Sequence, residues 1–202
     1  MSDVQYQSGF GNTFATEAKK GTLPQGQNNP QKVAHGLYAE QISGSAFTMP
    51  RTENKRTWAY RMRPSVVHMP YEEKPFEGAP HFLSAPLEGA VPPSQMRWNA
   101  MSNGKGKDFI EGIYTIGANG SIDAWSGLAV HTYHATENMT ERFFYNADGE
   151  MLIVPQHGRL HLHTEMGVLH VAPQEIVVIP RGIKFRAELP DGEARGYICE
   201  NY

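Results

Sequence analysis

The chain has 202 residues, of which 40% are apolar and 19% are charged, and its net charge is −3. This composition is that of a globular protein, and the small net charge gives no reason to expect nucleic acid or an anionic membrane as a partner. No run of about 18 apolar residues is present, so no membrane span is expected. The single Cys199 and a first segment without signal-peptide features favour a reducing, cytoplasmic location.

The first hundred residues predict an extended arm with little regular structure. Most of the 14 prolines lie there, and each proline removes a backbone donor and biases the preceding residue toward an extended conformation. The segment 57–68 is expected to supply one strand. Spaced aromatic side chains need burial, so residues 1–107 are predicted to pack on a barrel or on a neighbouring subunit. These aromatic residues are Tyr38, Phe47, Trp58, Tyr60, Phe76, Phe82 and Trp98.

From residue 108 to residue 202 the pattern changes to short runs rich in β-branched and aromatic residues, such as RFFY, EMLIVP and EIVVIP. Turn signals of Gly, Asn, Asp and Pro separate the runs, at 117–120, 146–149, 165–167, 180–182 and 190–192. No stretch there has a helical period or a helix cap. Residues 108–202 are therefore predicted to form an all-β antiparallel barrel, with a meander of strands over 150–189.

The order of segments in this second half resembles the cupin family. A strand that carries Glu150 ends at Gly158, a hairpin follows, and a further strand ends at the turn 180–182. In metal-binding cupins a histidine just after that turn, an upstream H-x-H pair and the glutamate hold the ion. Here the histidine position is Phe185, and the H-x-H position reads Phe-Phe-Tyr-Asn at 143–146. A transition metal needs imidazole, carboxylate or thiolate ligands, so we expect a cupin-like barrel of jelly-roll type with a degenerate metal site.

One cluster of side chains suggests a different metal site. His161, His163 and Glu165 stand two residues apart, which places them on one face of a strand, and a turn at 165–167 would set His170 opposite His161. Three imidazoles and a carboxylate are enough for zinc or iron. The alternate positions are apolar, however, which favours a half-buried strand whose histidines point to solvent or to another subunit. These apolar positions are Leu160, Leu162, Leu169 and Val171.

Strings near the amino terminus carry a more specific resemblance. They are YQSGFGNTFATEA, LPQGQNNPQ and GLYAEQISGSAFTMPRTENKRTWAYRMRPSVVH. Further strings follow at 96–98, 127–131, 144–149, 152–156 and 180–182. In this order and spacing the set closely resembles the amino-terminal part of the homogentisate 1,2-dioxygenases, over essentially the whole chain.

The resemblance implies a non-haem Fe(II) enzyme that opens the ring of homogentisate with O2 to give maleylacetoacetate, in tyrosine and phenylalanine catabolism. It also implies a homo-oligomer, a trimer that pairs into a hexamer. Family members are longer, and their two-histidine, one-carboxylate iron ligands lie in a carboxy-terminal domain. The ligands are therefore expected beyond residue 202, with no catalytic, cofactor-binding or metal-binding residue in this chain and no turnover by the chain alone. Whether the chain is a fragment or one half of a split protein stays open.

Two other functions stay open on the residues alone. One is a metal-dependent cupin enzyme that uses His161, His163, His170 and Glu165. The other is a non-catalytic β module for assembly. In an assembly the outward histidines are a candidate subunit contact, and their protonation near a pH of about 6.5 would weaken it. His131 lies three residues before His134, so on a strand the two face opposite ways and do not share an ion.

Overall fold

The fold is known from a computed structural model, which describes residues 34–43, 45–46, 48–50, 52–54, 56–72, 78–89, 93–95, 97, 99 and 105–202. Within these ranges the chain forms ten strands, one short 3-10 turn at Ala34–Gly36 and no α-helix. Nothing helical in the described part of the chain is long and apolar enough to cross a bilayer. The expectations for Phe47, Phe76, Trp98 and the amino-terminal strings up to residue 33 lie outside the described residues.

The chain divides into two compact units. The first comprises residues 1–73 together with 165–168, and the second comprises 74–164 together with 169–202. In the first unit, β1 (Tyr38–Ser43) pairs antiparallel with β2 (Arg56–Arg61). The strand predicted within 57–68 is confirmed by β2, whereas β1 was not predicted, because the polar sequence YAEQIS carries no clear alternation. The domain ranges 1–107 and 108–202 stay a prediction.

The remaining eight strands form two sheets. A five-stranded sheet has the order β3-β4-β10-β5-β8, and a three-stranded sheet has the order β7-β6-β9. The strands are β3 (Ile113–Ser121), β4 (Ser126–Ala135), β5 (Glu150–His157), β6 (Leu160–Thr164), β7 (Gly167–Val171), β8 (Val177–Ile179), β9 (Phe185–Glu188) and β10 (Ala194–Asn201). Strand after strand buries alternate residues, as the burial of Leu160 and Leu162 on β6 illustrates. The predicted fold class, a cupin-like antiparallel barrel of jelly-roll type, is confirmed.

The predicted meander over 150–189 is wrong in its pairing. Strand β5 pairs with β8, and β6 pairs with β9, so consecutive strands β5 and β6 lie in different sheets. Each of these strands pairs with the strand that comes three later in the chain, as in a jelly roll. This pairing lets both sheets bury their apolar faces in one interior. Turn residues mark where a strand ends, but they do not state which strand becomes its partner.

The turn predicted at 117–120 is also wrong, whereas the other four predicted turns are confirmed. The backbone stays extended through Ser121, and the chain reverses at 122–125. Gly120 on β3 pairs with Gly127 on β4. A Cβ added to either glycine would lie 2.1 Å from a backbone oxygen of the opposite strand. These glycines therefore allow close approach of two strands rather than a turn. The predicted strand RFFY is reduced to a single bridge between Phe144 and Phe185.

We expect the substitution Gly196→Ala to lower the free energy of unfolding by about 1–3 kcal/mol, as overpacking of a filled core does. A Cβ at this position of β10 would lie 2.3 Å from the Val154 carbonyl oxygen and 2.8 Å from the Tyr133 hydroxyl. The matched control is Gly117→Ala, whose Cβ meets no atom within 4 Å. Urea denaturation measures both. Equal midpoints for the two variants would show that β10 has room the structure does not show.

Candidate functional site

Aromatic rings stand at the positions where the sequence resembles the ligand positions of metal-binding cupins. Phe185 is fully buried, and the ring of Phe144 meets it edge to face with centroids 5.9 Å apart. The two residues also exchange backbone hydrogen bonds of 2.8 Å. Phe109 packs on the other side of Phe185 at 6.1 Å, and Glu150 at the start of β5 is exposed. These residues do not fit Fe(II), because the rings offer no ligand atom and the carboxylate is turned away from the interior.

A polar network lies beside these rings, formed by Thr115, His131, Asn146 and Glu200. The His131 and Glu200 side chains have 0% and 1% of their surface exposed, and His131 Nε2 lies 3.1 Å from Glu200 Oε2. On the far side of the imidazole, Nδ1 lies 2.9 Å from the Thr115 hydroxyl. Asn146 Nδ2 donates to Glu200 Oε1 at 2.5 Å. Both carboxylate oxygens therefore have a partner, which a buried carboxylate requires.

The donors and acceptors restrict where the protons of this network lie. Thr115 Oγ1 accepts the Leu83 N–H at 2.8 Å and lies 3.2 Å from the Leu83 carbonyl oxygen. Its single hydroxyl proton is directed either to that carbonyl or to His131 Nδ1. At the other end, one proton must lie between His131 Nε2 and Glu200 Oε2, because two acceptors at 3.1 Å would repel each other. The network is therefore one continuous hydrogen-bonded chain from Leu83 to Glu200.

The turn that follows Asn146 fixes the remaining end of the network. Asn146 Oδ1 accepts the backbone N–H groups of Asp148 and Gly149 at 2.9 and 3.0 Å. Its own carbonyl oxygen accepts the N–H of Gly182 at 2.8 Å. An asparagine that bonds its own backbone two and three residues on is a common turn former. Because Oδ1 is held by two donors, Nδ2 is directed to Glu200.

A recess of about 290 Å³ lies over the network in the second unit. Residues from the turn, the aromatic pair and the floor line it, namely Phe82, Ser84, Phe144, Tyr145, Asn146, Ala147, Asp148 and Glu200. Its volume is at the small end of ligand-binding pockets, which have about 300–1,000 Å³. The recess and the network beneath it are the candidate functional site of the described residues.

Sequence reasoning found only part of this site. It correctly set His131 and His134 on opposite faces of β4, since His131 is fully buried whereas His134 lies outside, with Nε2 2.8 Å from Glu193 Oε1. It missed Glu200 and Asn146. A signal for Glu200 was available, because this acidic residue alternates with the apolar Ile198 and Tyr202, which are buried on the same face.

The side chains of the alternative metal site, His161, His163, His170 and Glu165, contact different partners. His161 and His170 stack on the outer face of β6 and β7, with ring centroids 3.8 Å apart and planes at 16°. His163 Nε2 lies 3.0 Å from Glu188 Oε2. In the first unit, Glu165 forms an ion pair with Arg61. The four side chains are thus not brought to one point, and the described residues contain no group of three or more potential ligands placed to hold a metal.

The expected outward direction of the histidines is confirmed by the burial of their neighbours. Leu160 and Leu162 are fully buried, whereas His161, His163 and His170 are half-buried. Partial burial, together with the neighbouring imidazole of His170, lowers the pKa of His161. Burial and the nearby His163 lower the pKa of His170. Both shifts favour the neutral form of the two stacked rings.

Comparison with known protein families shows to which family this chain belongs. The family described as homogentisate 1,2-dioxygenase N-terminal matches residues 5–202. The chain belongs to this family. The resemblance drawn from the amino-terminal strings is thereby confirmed, and the polar network and the aromatic interior are features of a homogentisate 1,2-dioxygenase N-terminal domain.

Solved structures show more distant likenesses to this homogentisate 1,2-dioxygenase N-terminal chain. A protein from Neisseria meningitidis is 11% identical over 45% of this chain and 83% of its own, with a TM-score of 0.37. A cupin-2 domain protein from Shewanella frigidimarina is 16% identical over 37% of this chain and 71% of its own, with a TM-score of 0.33. A protein of unknown function from Rhizobium leguminosarum is 18% identical over 44% of this chain and 78% of its own, with a TM-score of 0.35.

Removing both partners of the buried pair should destabilise the chain by less than the sum of the two single removals. His131→Leu or Glu200→Leu alone leaves a buried polar group unpaired, so we expect each to lower the free energy of unfolding by about 3–5 kcal/mol. The free energy of unfolding of the double variant should fall by less than the sum of the decreases in the two single variants. Urea denaturation of the four proteins measures the coupling.

The pair of His134 and Glu193 is the matched control for this cycle. The His134 and Glu193 side chains are 13% and 44% exposed, so the coupling between the same substitutions there should be at most about 1 kcal/mol. Additive losses at His131 and Glu200 would contradict the buried contact.

The histidine stack predicts a pH dependence of stability. Both histidines have a lowered pKa in the folded chain, so unfolding takes up protons as the pH falls below the unfolded value of about 6.5. The folded state is therefore fully favoured above that pH and loses stability as the pH falls toward the lower folded pKa values. The urea midpoint should decline over this range. The double variant His161→Gln, His170→Gln should flatten the decline, and an unchanged decline in that variant would contradict the assignment.

Proposed function

We propose that this chain is the amino-terminal β domain of an Fe(II)-dependent dioxygenase that opens the ring of homogentisate with O2. The product is maleylacetoacetate, and the reaction belongs to tyrosine and phenylalanine catabolism in the cytoplasm. The observation that carries the proposal is the family match over residues 5–202. It covers both the strands of the barrel and the earlier segment, which a general cupin does not share.

The domain's own role in this proposal is structural, and the iron ligands belong to another region of the protein. The support comes from the residues at the cupin ligand positions, where Phe144 and Phe185 fill the interior and Glu150 is exposed. A metal site there would need at least two of these residues replaced. The domain supplies a closed, rigid body on which an iron-binding region packs.

The proposal includes assembly as a homo-oligomer, a trimer that pairs into a hexamer, without nucleic acid or membrane partners. The outer face of β6 and β7 supports a subunit contact, because three half-buried imidazoles lie there beside Glu188 and Arg186. This face combines imidazole rings with ion-paired side chains, a composition typical of the rim of a protein interface.

Oxygen consumption with homogentisate and Fe(II) tests the proposed division of roles. The purified 202-residue chain should consume no more O2 than an Fe(II) blank, because it offers no open-sided iron site. The same chain joined to the iron-binding region of a homogentisate 1,2-dioxygenase should consume O2 in proportion to homogentisate. Turnover by the chain alone, or no turnover by the joined protein with iron bound, would overturn the proposal.

Metal titration separates this proposal from the metal-cupin alternative at His161, His163, His170 and Glu165. The chain alone should take up no stoichiometric Fe(II). Stoichiometric uptake that His161→Ala abolishes would favour the alternative. His134→Ala is the matched control, because this histidine lies on β4, away from the cluster.

A further inference from the structure

The recess over the polar network has aromatic walls. The rings of Phe82 and Phe144 lie 5.8 Å apart, and Tyr145 follows on the same side. The Phe82 ring also packs edge to face against the His131 imidazole, with ring centroids 5.2 Å apart. This contact helps to hold the Phe82 ring in place. Aromatic faces carry partial negative charge and attract cations. The walls are therefore suited to a positively charged group with an apolar body.

Acidic side chains lie at the floor and the rim of the same recess. Glu200 and Asn146 form the floor, whereas the exposed Asp148 carboxylate stands at the rim, with Ser84 Oγ 3.5 Å from it. Two carboxylates thus line the recess, and none of its lining residues is a lysine or an arginine. A small ligand that enters meets hydrogen-bond acceptors and negative charge.

Cations of the protein itself already use aromatic faces near this end of the barrel. Lys184 Nζ lies 5.5 Å from the centre of the Tyr145 ring, and the Arg181 guanidinium lies 4.4 Å from the Trp125 ring. Both distances are within the range in which the ring attracts a cation. The Tyr145 ring thus already holds one cation, and an ammonium ion that binds this ring has to displace Lys184 Nζ from it.

We propose that this recess binds a small organic ammonium ion, with its alkyl body against Phe82, Phe144 and Tyr145 and its N–H groups toward the exposed Asp148 carboxylate at the rim. The volume of about 290 Å³ suits a compact ligand rather than a long chain. The site requires only the folded 202-residue chain.

Titration of the whole chain with n-butylammonium chloride, followed by amide chemical shifts, tests the site. Saturable shifts are expected at residues 82–84 and 144–148, at constant ionic strength. Pentanoate, which has a similar chain and the opposite charge, should produce no saturable shift at those residues. Saturation by pentanoate there, or no saturation by n-butylammonium, would overturn the proposal.

Two variants separate the contributions of charge and ring. Asp148→Asn and Tyr145→Leu should each weaken n-butylammonium binding by about two- to fivefold, which is the effect of one exposed charge or one exposed aromatic face. Asp123→Asn, at the exposed turn between β3 and β4, and Tyr197→Leu, on β10, are the matched controls and should leave the affinity unchanged. Equal affinity in Asp148→Asn and Asp123→Asn would contradict recognition of the charge.

Discussion

Burial of the Glu200 carboxylate is the constraint on which much of the second unit depends. Burying a carboxylate in a low-dielectric interior lowers the stability of the fold by several kcal/mol, unless hydrogen bonds pair its oxygens. The pairing requires His131 on one side and Asn146 on the other, 3.1 and 2.5 Å away. His131 in turn requires Thr115. One charged group on the central strand β10 therefore fixes β3, β4 and the turn that begins at Asn146.

Most of the other buried residues are apolar, and aromatic rings stand at the positions where the sequence resembles the ligand positions of metal-binding cupins. Phe185 touches both Phe109 and Phe144, so one side chain of β9 packs against two separate loops. These rings fill the interior between the two sheets. This separation of fold from chemistry is common, since function depends on a site rather than on the architecture that carries it.

The sequence predicted the features that depend on alternation and missed those that depend on distant partners. Alternating Leu160 and Leu162 predicted both the strand and the outward histidines. The turn expected at 117–120 failed because Gly120 serves close strand approach, which only the position of Gly127 reveals. The polar network was missed for the same reason. Its members are spread from Thr115 to Glu200 along the chain, and only the pairing of β10 with β4 and β5 brings them together.

Diffraction at the iron absorption edge, on crystals of the chain grown with Fe(II), tests the central claim most directly. A bound ion would lie about 2 Å from its nitrogen or oxygen ligands. We expect no anomalous peak in the barrel interior, with the His131 imidazole still within hydrogen-bond distance of Glu200. An ordered iron coordinated by His131 and Glu200, or lodged between Phe144 and Phe185, would contradict the account.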